Sequence, residues 1–182
     1  MNIKIAPVIG RIGHNGGPEL PTLQSWIVHS WRKAHAKAWK TPSIEIVRMR
    51  CARARKLGLS YRDYTSVILD RGRHLQAAVF VLAVAEIAGN DHVHKKLLSL
   101  RCPVLIITND PPEKLLRLCP NVVAVASYVE GAPNPTTLRE TLTSHAISPM
   151  ETFLVGSREQ DSYLAQTAGL AKFIPAERYF SS

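Results

Sequence analysis

Phe153-Leu154-Val155-Gly156-Ser157-Arg158-Glu159-Gln160-Asp161-Ser162-Tyr163-Leu164-Ala165-Gln166-Thr167-Ala168-Gly169-Leu170 decides how the second half of this chain folds. Three apolar residues stop at a glycine, the mark of a buried strand that ends abruptly. A short polar loop follows, Asp161 is expected to open a helix, and Gly169 stands where a left-handed cap would close it. The unit is strand, tight loop, helix. In open α/β sheets, ligands collect where such loops leave the carboxyl ends of the strands.

The same grammar runs upstream and downstream of that unit. Val79 to Ala85 is a continuous apolar run, as expected of a central parallel strand buried on both faces. Pro103–Thr108, Val122–Ala126, Thr152–Val155 and Lys172–Ile174 read as further strands. The segments 94–100, 113–118, 136–145 and 161–168 read as helices. Strands alternating with helices predict right-handed crossovers and a doubly wound parallel sheet over residues 76–182.

The first 75 residues follow another pattern. Residues 1–22 are rich in Gly and Pro and read as a flexible arm. No strand precedes Gly13-His14-Asn15-Gly16-Gly17-Pro18 and no Lys-Ser/Thr pair follows it, so it lacks the context of a phosphate loop. Residues 23–75 are expected to form a basic helical module. Its first helix runs from Leu23 to Lys40, with Trp31, His35 and Trp39 on one stripe. A second spans Ile44–Leu57, and a third spans Tyr61 to Arg71, capped by Ser60 with Asp63 and closed by Gly72. The second helix sets Ile44, Val47, Cys51 and Ala54 on one side, and Arg48, Arg50, Arg53, Arg55 and Lys56 around the remainder.

Charge follows this division. The 182 residues carry a formal net charge of +9, and residues 1–75 hold 14 Lys/Arg against 4 Asp/Glu. The whole basic excess therefore lies in the first part, which makes a nucleic acid or another polyanion a candidate partner. Helices two and three, joined through Gly58, also suggest a helix-turn-helix-like segment at 44–71. Against that reading, the third helix shows Asp63 and Asp70 beside Arg62 and Arg71 and carries little net charge. Cys51, Cys102 and Cys119 are odd in number and lack metal-ligand spacing, as expected of idle thiols in a reducing cytoplasm. No apolar run approaches the roughly 20 residues of a membrane span, so no membrane partner is expected.

Two resemblances attach to particular residues. Gly13–Pro18, Trp31-Arg32-Lys33-Ala34-His35, Ala38-Trp39-Lys40 and the run from Leu57 to Arg73 resemble a class of small alpha-proteobacterial proteins, which supplies no function. Ile107-Thr108-Asn109 before a Pro-containing helix start, then Val155-Gly156-Ser157 with Asp161 and Ala168-Gly169-Leu170, resembles the haloacid dehalogenase-like (HAD) hydrolases over about residues 78–180. That likeness implies a Rossmann-like sheet and Mg2+-dependent phosphatase chemistry, with an Asp nucleophile and a second Asp as acid/base after the first strand.

On the HAD pattern, Thr108 and Asn109 fit the phosphate-contacting position and Asp161 the second metal carboxylate. Ser157 stands where the first metal carboxylate is expected, leaving a weak Mg2+ site. The phosphate-binding Lys is expected near Ala132 or Asn134, and neither position holds a cation. After the first strand, Glu86 is the best candidate for the nucleophile position, with Ala88 at the acid/base position. In the other register, Ala83 and Ala85 take both Asp positions. An alanine transfers no proton, and general acid–base catalysis typically contributes about 10²–10⁴-fold. The expectation is therefore a catalytically degenerate HAD-like domain fused to a basic helical module and acting by binding, with a phosphorylated small molecule as one candidate ligand. The alternatives are a divergent Mg2+-dependent phosphohydrolase and a DNA-binding regulator using 44–71. His92 and His94, two apart, would share one side of an extended loop but lack a third metal ligand.

Overall fold

Five short apolar runs lie side by side in one sheet: β1 (Ala77–Val81), β2 (Val104–Thr108), β3 (Val122–Ser127), β4 (Thr152–Gly156) and β5 (Lys172–Pro175). In this computed structural model, which describes residues 23–38, 42–127 and 134–181, every pairing is parallel and the order is β3-β2-β1-β4-β5. The fold is α/β of the Rossmann type, as the alternation of elements predicts. Side chains alternate across the sheet because successive Cβ atoms point to opposite faces. Val79, Val81, Leu105, Ile107 and Leu154 pack under α7 (Pro135–Ser144) and α8 (Glu159–Thr167). Ala78, Phe80, Ile106, Phe153 and Val155 pack against the opposite layer.

That opposite layer includes α2 (Ile44–Lys56) and α3 (Tyr61–Arg71), together with α4 (Val84–Ala88), α5 (Asp91–Ser99), α6 (Pro112–Leu118) and α9 (Ala176–Phe180). Ala54, Leu57, Leu59, Tyr64, Val67 and Leu75 are buried in the same cluster as Phe80, Phe153 and Tyr179. The module edge expected at residue 75 thus lies inside continuous packing, and the chain divides instead into units Met1–Thr41 and Pro42–Ser182. The reason is geometric. Two short helices with one apolar stripe each cannot cover one another fully, and the sheet supplies the missing face. Asp63 on α3 pairs with Arg178 on α9, and Lys172 Nζ donates to Ser66 Oγ at 2.5 Å. Within the first unit, α1 (Leu23–Ala38) exposes Trp26, Ile27 and Trp31. The arm expected at 1–22 and Trp39 lie outside the described residues, as does the side chain of His35.

Local signals set most boundaries. Ser60 Oγ accepts the Asp63 N–H at 3.1 Å, and Gly72 closes α3 at φ +68°. Gly169 follows α8 at φ +71°, in the left-handed region where glycine carries no Cβ penalty.

Three expectations need correcting. The apolar run thought to be strand as far as Ala85 leaves the sheet at Val81, and residues 84–88 are helical. Val84 N–H finds the carboxylate of Asp110 at 2.7 Å, and Ala and Glu favour helix once strand partners are absent. Asp161 does not open α8; the helix begins at Glu159, and Asp161 is its third residue. His92 and His94 lie in α5, not in a loop, and point apart because a helix turns about 200° over two residues. Their Nε2 atoms donate to the carbonyls of Phe180 and Leu118, at 2.7 and 2.9 Å.

Candidate functional site

Strand order reverses between β1 and β4, and that is where a doubly wound sheet opens a crevice at its carboxyl edge. The crevice here has a volume of about 210 Å³ and is lined by Val81, Leu82 and Ala83 after β1, Thr108, Asn109 and Asp110 after β2, and Ser157, Arg158 and Asp161 after β4. Glu86 on α4 completes the wall. All five residues singled out for this site, Glu86, Thr108, Asn109, Ser157 and Asp161, line this one crevice.

Their hydrogen bonds show what each side chain is occupied with. Thr108 is buried at the end of β2; its hydroxyl donates to Asp110 Oδ2 and accepts the Asp110 N–H, each at 3.2 Å. Asp110 Oδ2 also receives the Val84 N–H, so it ties the loop after β2 to the start of α4. Glu86, third residue of α4, reaches back to the Ala83 N–H at 2.8 Å. Asp161, third residue of α8, does the same to the Arg158 N–H at 2.9 Å. Glu86 and Asp161, the two carboxylates offered to catalysis, thus occupy the same local role. Each satisfies a backbone donor that its helix leaves free.

Asp161 is 2% exposed and lies against Gly156, where an added Cβ would sit 2.5 Å from Asp161 Oδ2 and 2.7 Å from Asp161 Cβ. The glycine is required here by close approach, since no positive φ is involved. Asn109 and Ser157 are exposed on the rim. Glu86 does not stand at the strand's end as expected: Leu82 and Ala83 follow β1 directly, and Glu86 is a turn further on.

The charge of this crevice opposes phosphate. Among the described residues, Glu86, Asp110 and Asp161 face it, with Arg158 as the one cation in its wall. A phosphoryl group needs metal or clustered cations to offset its oxygens. The residues present do not fit Mg2+. Magnesium takes carboxylate and other hard oxygen donors in near-octahedral geometry, and here Asp161 is committed to a helix start beside a serine. Among the described residues, no group of three or more His, Cys, Asp or Glu side chains is disposed to hold a metal ion. The loop near Ala132, where a phosphate-binding Lys is expected, lies outside the described residues. Asn134 is described, and its Oδ1 caps α7 by accepting the Thr136 N–H at 2.9 Å.

The basic residues of α2 are not gathered on one surface. Arg48 and Arg55 are exposed, Arg50 is half-buried with its Nε lacking a hydrogen-bond partner, and Arg53 and Lys56 turn into a second hollow. That hollow, of about 620 Å³, lies at the opposite, amino edge of the sheet. It is also bordered by the segment Gly72–Gln76 ahead of β1, by Arg101 and Cys102 ahead of β2, and by Glu151 ahead of β4. Burial, and next the charges of Arg53 and Arg50, hold the His74 imidazole below its ordinary pKa. Burial pushes the Cys102 thiol up to about 12 and also raises Cys119, and all three cysteines are free.

Sequence reasoning missed Asp110, Arg158, Arg73 and Arg101. Only Asp110 had a usable local signal: it stands two residues after Thr108, the spacing of a hydroxyl that accepts a backbone N–H in a tight turn. The arginines come together through tertiary packing.

No protein-family model and no curated protein matches the chain. Among solved structures, the chain is similar to the core domain of a Streptococcus pneumoniae protein assigned as a phosphoglycolate phosphatase. The identity is 16% and the TM-score 0.44, over 57% of this chain and 80% of that one. It is also similar to a HAD-superfamily hydrolase of subfamily IA from Geobacter sulfurreducens, at 14% identity and TM-score 0.41, over 55% of this chain and 91% of that one. No residue role is carried over from either. No described helix is long and apolar enough to cross a membrane.

Proposed function

We propose that this chain is a HAD-like protein that acts by binding and does not turn over phosphate esters. One observation carries the reading: Glu86 and Asp161 are both spent on capping the helices that follow β1 and β4. A capping carboxylate is held by a backbone N–H and lowers the free energy of its helix. It is thereby held away from the in-line attack that a nucleophile needs. Leu82 and Ala83 follow β1 and supply neither nucleophile nor proton donor. The excess of carboxylates in the crevice disfavours a phosphoryl group and suits a neutral polar or cationic one, placed against Asn109 and Ser157 on the rim.

The test is hydrolysis of p-nitrophenyl phosphate with Mg2+ by the full chain and by Asp161→Asn. The expected result is no turnover above buffer for either protein. Turnover by the full chain that Asp161→Asn removes would overturn the reading and establish a divergent phosphohydrolase.

A further inference from the structure

The hollow at the amino edge of the sheet is built unlike the crevice at the carboxyl edge. Four basic side chains border it: Arg53 and Lys56 from the last turns of α2, Arg73 from the approach to β1, and Arg101 from the approach to β2. One carboxylate, Glu151, is present, and it already accepts the Gln76 amide at 2.7 Å. None of the four cations forms an ion pair among the described residues. Arg50, one turn before Arg53, does not border the hollow, but its buried Nε has no acceptor among the described residues.

Helix α2 alone accounts for part of this charge. Cations in a last turn are favoured by the helix dipole, which covers Arg53 and Lys56. It does not cover Arg73 or Arg101, which come from two other segments. The frame holding them is fixed: Arg101 N–H donates to the Lys56 carbonyl at 2.9 Å, and Tyr64 Oη and His74 Nδ1 are hydrogen-bonded at 2.8 Å. Four like charges brought together against the single carboxylate of Glu151 leave net repulsion, which opposes the fold. Guanidinium groups converging on a concave surface match the geometry of phosphate oxygens. A hollow of about 620 Å³ also has the size of ordinary small-molecule sites.

We propose that this hollow binds a small ligand carrying two or more adjacent phosphate groups. The cations surround one concavity, which suits a compact polyphosphate better than the extended track that a nucleic acid backbone follows. A phosphate chain seated between Arg73 and Arg101 would give them the anionic partners that neither has among the described residues. The proposal is independent of whether the carboxyl-edge crevice turns over, because the two sites share no residue.

Calorimetric titration of the full chain with inorganic triphosphate tests it, with orthophosphate, a nucleoside triphosphate and a mixed-sequence single-stranded oligonucleotide as comparators. The expected result is saturable one-to-one triphosphate binding, tighter than orthophosphate and weakened by added salt. Arg73→Gln and Arg101→Gln should each weaken it about tenfold or more, while Arg117→Gln, at an exposed position of α6, leaves it unchanged. Relief of repulsion means the two hollow variants should melt no lower than the parent chain, so lost binding is not lost folding. A nucleoside triphosphate binding more tightly identifies a nucleotide as the source, and equal affinity identifies the bare phosphate chain; both support the site. Absence of saturable binding would overturn the proposal. So would equal weakening by Arg117→Gln, or tighter oligonucleotide binding that depends on Arg48 and Arg55.

Discussion

The hydroxyl of Tyr179 donates to the main-chain carbonyl of Leu57 across 2.9 Å, in a buried setting that joins the last helix to the end of α2. The two residues are far apart in sequence, and the bond ties the end of α2 to α9, which packs on the sheet. Gly58, at φ +63°, makes room for it, since a Cβ there would lie 2.5 Å from Tyr179 Oη. Burial raises the phenol's pKa far above its ordinary value, so the group stays a donor at any working pH.

Tyr179→Phe removes the donor and leaves the Leu57 carbonyl buried without it. The expected loss is about 1–3 kcal/mol, the range for an orphaned buried polar group. Chemical denaturation should show it as a lower midpoint at unchanged slope. An unchanged midpoint would mean that the helices are not held to the sheet through this contact.

Gly156→Ala places a methyl group against the buried side chain of Asp161, including its Cβ, which cannot swing away. Overpacking of this kind costs about 1–3 kcal/mol. A thermal melt should register the loss. Pairing the substitution with Asp161→Ala should recover only the part due to the carboxylate group, because the Asp161 Cβ at 2.7 Å stays in place.

Asp161 can be separated into shape and charge. Asp161→Asn keeps an acceptor for the Arg158 N–H, whereas Asp161→Ala leaves that donor open. The alanine variant should lose about 0.5–2 kcal/mol, as for other lost helix caps, and the asparagine variant clearly less. Equal losses in the two denaturation curves would show that the negative charge, not the cap, is what the site requires.

His74 is held below its ordinary pKa, so the folded chain takes up its proton less readily than the unfolded chain. Stability from this source is fully present above the unfolded value of about 6.5 and is lost as pH falls toward the lowered folded value. The imidazole resonances should titrate below 6.5 by NMR. In His74→Gln, the slope of melting temperature across that window should flatten.

Cys102, with its pKa pushed up to about 12, is less than roughly one part in a thousand thiolate at pH 8. Alkylation of the native chain should leave it largely unmodified while denatured chain reacts fully. Rapid native labelling of half-buried Cys102, read by mass spectrometry, would contradict the raised pKa.

Much of this molecule is written locally. Short apolar runs, several of them bounded by glycine or proline, mark the strands, and Ser60, Gly72 and Gly169 mark helix ends, because capping and burial depend on neighbours within one turn. The end of β1 was not legible. Val79 to Ala88 is apolar almost throughout, and periodicity cannot tell a buried strand from a short helix in such a run. Contact with Asp110, more than twenty residues away, makes the difference. Likewise, the sequence displayed five basic residues on α2 as one set. Packing on the sheet divided them, leaving Arg48 and Arg55 outside and bringing Arg53 and Lys56 to Arg73 and Arg101. Charge excess is a sum over the chain and survives any fold, whereas a binding hollow is an arrangement in space. Only the parallel sheet, which brings the approaches to β1, β2 and β4 to one edge, decides where that charge converges.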